Sequence, residues 1–126
     1  SGAMAYVADG SAGLQIIDIS DPTSPVIIGS VDTPGSASGV AVSGSIVYIA
    51  DGSAGLQVID AINPAMPTIV GSVPTSGSAL EVSLRGDFAM VADDSAGLQV
   101  IDINNPAAPV VLGSQVLSDD ALGVAV

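Results

Sequence analysis

Leu14-Gln15-Ile16-Ile17-Asp18 returns as Leu56-Gln57-Val58-Ile59-Asp60 and again as Leu98-Gln99-Val100-Ile101-Asp102, 42 residues apart each time. Working outward from this stretch, the chain divides into units 1–42, 43–84 and 85–126, with 3 × 42 = 126 and no residue left over. Ala8-Asp9, Ser11-Ala12-Gly13, Pro22, Pro25, Gly29-Ser30, Ala37 and Val40 are also the same in every unit. Repetition at 20 to 50 residues marks a solenoid, an array or a propeller.

Four short strands are expected in each unit, in the first at residues 4–8, 14–19, 25–32 and 38–42. Asp9-Gly10-Ser11-Ala12-Gly13 separates the first two as a hairpin turn, because glycine takes positive φ and Asp bonds nearby backbone. Ser20-Asp21-Pro22-Thr23-Ser24-Pro25 ends the second strand, since two prolines remove donors and fix φ. Equivalent loops recur at Asn63-Pro64-Ala65-Met66-Pro67 and Asn105-Pro106-Ala107-Ala108-Pro109. Helical repeats need runs of Ala, Leu, Glu and Lys, whereas the chain has one Glu, no Lys and β-branched strand regions. Ile16-Ile17 and Ile27-Ile28 are apolar on both sides of a strand, so both faces of each sheet must be covered. Four antiparallel strands covered on both faces, at this period, describe an all-β propeller blade. A parallel β-helix is the alternative architecture, and the paired hairpin signals favour blades.

The Leu-x-(Ile/Val)-Ile-Asp segments, with the preceding Ala-Asp-Gly-Ser-Ala-Gly, resemble LVIVD repeats over the whole chain. The resemblance implies a β-propeller of the kind found in bacterial and archaeal proteins that are often secreted or surface-attached. It brings no catalytic residues. The third unit departs from the pattern where Gly10 and Gly52 become Asp94, and where Val31-Asp32-Thr33-Pro34-Gly35 becomes Gln115-Val116-Leu117-Ser118-Asp119.

Propellers close with four to eight blades, and three leave two flat apolar ends. The small fourth strand, Gly39-Val40-Ala41-Val42, suits the crowded axis and belongs to the blade of the following unit. By the same logic Leu122-Gly123-Val124-Ala125-Val126 has no blade of its own, and the first blade lacks an inner strand. The expectation is a homodimer: this tail enters the first blade of another copy, and two copies close a six-bladed ring. Such an interface would bury on the order of 2,000 Å² or more. A fragment of a longer propeller is the other reading, and the absence of an initiator methionine at Ser1 fits a processed or excised piece.

Thirteen carboxylates face a single cation, Arg85, for a net charge of −12. Nucleic acid and anionic lipid both need basic patches, so neither is expected as a partner. The uncharged window 61–80 is interrupted by Pro64, Pro67 and Pro74, which argues against a membrane span. Without cysteine there is no disulfide or thiolate metal site, and the compartment stays open.

Asp9, Asp51 and Asp93 recur beside the turns, and with Asp94, Asp119, Asp120 and Glu81 they are the candidate oxygen ligands for Ca²⁺, against the simpler expectation that each Asp bonds the amides of its own hairpin. Asp18, Asp60 and Asp102 are read as turn caps. With no His, Cys or Lys to activate a serine, no catalytic residue and no cofactor are assigned. The inner-strand residues, with Ser83 their one hydroxyl, are read as the dry lining of a central channel. The functional expectation is a non-enzymatic scaffold that binds a protein or glycan outside the cell. A metal-dependent lyase or hydrolase propeller is the alternative.

Overall fold

Eleven short strands and no helix make up the computed structural model, which describes residues 3–126. Ser1 and Gly2, on which the first unit opens, lie outside the described residues. The strands are β1 (Met4–Ala8), β2 (Leu14–Asp18), β3 (Val26–Val31), β4 (Gly39–Ser43), β5 (Ile46–Ala50), β6 (Leu56–Asp60), β7 (Thr68–Val73), β8 (Glu81–Arg85), β9 (Phe88–Ala92), β10 (Leu98–Asp102) and β11 (Val110–Gln115). They form three sheets in the orders β1-β2-β3, β4-β5-β6-β7 and β8-β9-β10-β11. Every pairing is antiparallel, which excludes the parallel β-helix and leaves a β-propeller-like repeat fold.

Each sheet after the first takes its inner strand from the preceding unit, as β4 and β8 do. The first sheet accordingly has three strands, as the shifted inner strand requires; the expectation of a fourth strand in the third unit is corrected, because residues 122–126 form none. A strand needs a hydrogen-bonded neighbour, and among the described residues this tail pairs with none.

The two apolar side chains in the middle of each motif face opposite ways. Ile16 and Leu14 of the first sheet pack with Val47, Ile49 and Ile59 of the second, and all five are fully buried. Tyr48, Leu56 and Val58, on the other side of the second sheet, pack with Val82, Ala89, Val91 and Ile101 of the third. The middle sheet is thus covered on both faces, as the unbroken apolar pairs required. A register shift between Ile16 and Ile17 opposite β3 places a bulge in every outer strand, repeated in the other two sheets. The bulge is why Ile27 and Ile28 escape strict alternation.

Gly29 and Gly71 let outer strands approach the next sheet closely. A Cβ on Gly29 would lie 1.8 Å from the Pro64 carbonyl oxygen, and one on Gly71 would lie 2.1 Å from that of Pro106. The proline loop of each sheet therefore seats against the glycine of the sheet before it.

Candidate functional site

Two features recur at the junctions between sheets: a buried carboxylate latch and a pair of complementary faces. Asp51 and Asp93 are fully buried. In the turn that begins at Asp51, the amides of Asp51, Ala54 and Gly55 bond to the carbonyls of Gly55, Asp51 and Gly52. With those amides already occupied, the carboxylate is free to reach the preceding linker. Asp51 accepts a 2.6 Å hydrogen bond from the Thr33 hydroxyl and a 2.9 Å bond from the Gly35 amide. Asp93 does the same with Thr75 and Gly77, at 2.6 and 2.9 Å. The expectation that each Asp serves its own hairpin is corrected here, because the latch ties the β5 end of one sheet to the linker leaving the sheet before it. A charge-assisted bond of this kind contributes about 1.5 to 3 kcal/mol.

Glycine is required in the linker. A Cβ on Gly35 or Gly77 would lie 2.0 or 2.1 Å from the carbonyl oxygen of Asp51 or Asp93. Thr33, Gly35, Thr75 and Gly77 were not singled out from the sequence as site residues. The visible signal was the loss of the Thr-x-Gly pair in the third unit, where Leu117 and Asp119 stand instead.

The remaining acidic candidates do not gather. Asp9 is exposed, Asp94 stands in the left-handed region at φ 53° where Gly10 and Gly52 have φ 56° and 59°, and Asp119 accepts the amide of Asp120 at 2.9 Å. Glu81 bends back to the amide of Val82 at 3.3 Å. Among the described residues no three Asp or Glu side chains come together as metal ligands.

Asp18, Asp60 and Asp102 do cap their turns, accepting the amides of Ser20, Ile62 and Asn104 at 2.8 to 2.9 Å. The Ser20 hydroxyl and amide hold the Asp18 carboxyl below its ordinary value of 3.8, and Thr23 does the same for Asp21. Lowered carboxylates support the folded state above pH 3.8, and that support fades as the pH falls through their folded values. Burial pushes the Tyr48 hydroxyl up.

The inner strands differ from the expected channel lining. Val40 packs with the cluster between the first two sheets, and Ala41, Val82 and Leu84 with the cluster between the second and third. A blade's inner strand serves the faces of its neighbours before it serves the axis.

The outer faces of the end sheets repeat what is buried inside. Val7, Ile17 and Ile19 occupy the places of Ile49, Ile59 and Ala61, and Val7 and Ile19 are exposed while Ile49, Ile59 and Ala61 are buried. On the far side, Met90, Leu98 and Val100 stand half-exposed in the places of the buried Tyr48, Leu56 and Val58. Gly113 has nothing within 4 Å of where its Cβ would be, although Gly29 and Gly71 each receive a proline loop. Residues 122–126 continue past this last sheet: Ala121 bridges to Asp94, and the Ser83 hydroxyl donates to the Val124 carbonyl at 2.7 Å. Leu122 and Val126 are 70% and 64% exposed, so the tail is tethered at one point and otherwise open.

No helix of the described residues is long and apolar enough to cross a membrane. A family model described as LVIVD repeat matches the chain three times, over residues 1–33, 34–75 and 76–115. These boundaries fall in the linkers, following the sheets and not the arithmetic 42-residue units. No curated protein matches the chain.

Proposed function

Since the chain belongs to the LVIVD-repeat family, we propose that it is a non-enzymatic repeat scaffold, half of a ring that two copies close head to tail. Each copy supplies three sheets, and the tail 122–126 of one becomes the inner strand beside β1 of the other. The proposal places the assembled ring outside the cell, where its loop-bearing faces bind a protein or a glycan. The acidic composition and the family resemblance support that placement.

One observation carries the assembly: Gly113 keeps open a seat that its equivalents fill with the proline loop of the next sheet. Strand pairing at the β1 edge would satisfy its unpaired backbone groups, and the two apolar faces would cover each other as they do at the internal junctions. Exposed Ile62 and Met66, both in the second proline loop, give the ring an apolar feature on the face opposite the latches.

Sedimentation equilibrium tests the assembly. The expected mass is twice the 12.2 kDa of one chain. A single 12.2 kDa species at micromolar concentration would refute it.

A further inference from the structure

The two seams inside the chain share a latch that the third linker is not built to make. Asp94 bridges to Ala121 as Gly10 does to Ala37 and Gly52 to Ala79, so the third linker runs in the same register as the first two. In that register Leu117 takes the place of Thr33 and Thr75, and Asp119 the place of Gly35 and Gly77. Leu117 has no hydroxyl to donate. In that register the Cβ of Asp119 would clash with the next sheet's backbone, since one built on Gly35 or Gly77 lies only 2.0 or 2.1 Å from a carbonyl oxygen there. The carboxylate it would meet in a second copy is Asp9, the equivalent of Asp51 and Asp93, so like charge would face like charge.

Yet the rest of the same face remains suited to a neighbour. Gly113 keeps its seat, and Met90, Leu98 and Val100 keep the apolar surface that Tyr48, Leu56 and Val58 bury one sheet earlier. Val116 and Leu117 are 68% and 50% exposed on the adjoining linker.

We propose that Leu117 and Asp119 make the seam between copies latch-free, so that a second copy docks through apolar contact and strand addition alone. The proposal rests on the head-to-tail assembly above. These two residues then set the strength of that seam: the internal junctions stay closed by Asp51 and Asp93, and the ring opens and closes between Asp9 of one copy and the third linker of the other.

The test restores the latch. Leu117→Thr together with Asp119→Gly installs residues the chain already uses at positions 33, 35, 75 and 77, and circular dichroism verifies the fold. Sedimentation velocity over a concentration series then compares three proteins: wild type, the double variant, and the double variant carrying Asp9→Ala. The double variant should associate about ten-fold more tightly or better, the scale of one charge-assisted hydrogen bond. Adding Asp9→Ala should abolish the gain. Unchanged or weaker association, or a gain that survives Asp9→Ala, overturns the inference while leaving the assembly intact. Should wild type prove monomeric, the assembly reading falls. Because the inference concerns the docking of wild-type copies, it falls with that reading.

Discussion

Asp9, Asp51 and Asp93 are one residue in sequence and two in structure. The latter pair are fully buried, each holding a threonine hydroxyl and a glycine amide from the linker before it, while Asp9 is exposed and meets no linker among the described residues. Removing Asp51 strands the buried Thr33 hydroxyl and the half-buried Gly35 amide as well as losing their bonds, a cost of about 2 to 4 kcal/mol. Asp51→Ala should therefore lower the urea midpoint sharply, whereas Asp9→Ala should leave it where it was in dilute protein. Equal losses at the two positions would show that the latch is not what distinguishes them. The carboxylates at 18, 60 and 102 were legible from sequence because their partners lie two residues away. The latch partners lie 16 and 18 residues upstream, and no local rule of turn chemistry reaches that far.

Among the elements, the outer strands show most clearly how one position changes meaning with its neighbour. Gly29 and Gly71 are forced by a carbonyl from the next proline loop, and Gly113 faces open space. Gly29→Ala should destabilise strongly, because the methyl group meets backbone that cannot retreat and overpacking costs about 1 to 3 kcal/mol or more. Gly113→Ala should instead leave a single chain as stable or raise its stability by up to about 1 kcal/mol, since alanine suits a strand better than glycine. The same change should weaken association between copies. Thermal melts at low concentration with sedimentation at high concentration separate the two effects, and a Gly113→Ala protein that associates normally would remove the seat from the argument. Strand limits were read from the sequence to within about two residues, since Gly, Pro and Asp mark each boundary, but the bulge in β3, β7 and β11 was not.

For the whole molecule, the tail decides between an open arc and a closed ring. Residues 122–126 pair with no strand and are tied by one hydroxyl, Ser83 to Val124. Deleting them should preserve the β-sheet circular dichroism signal, because the eleven strands do not depend on them, and should abolish association. A truncated chain that still sediments as a dimer would show that the apolar faces suffice and that strand exchange is not needed. A truncated chain that unfolds would show instead that the tail serves its own molecule.

The sequence by itself determined the repeat, the antiparallel strands, the hairpin and proline loops, and the shift by which each sheet borrows its inner strand from the unit before. These follow from periodicity and local backbone chemistry, which act over a few residues and are copied in every unit. Only the tertiary structure decided where the buried carboxylates point, which glycines are forced by a neighbour, and that Leu117 and Asp119 stand where a latch is otherwise made. Those are properties of contact between sheets, where the deciding atoms belong to residues far apart in the chain and identical letters meet different surroundings.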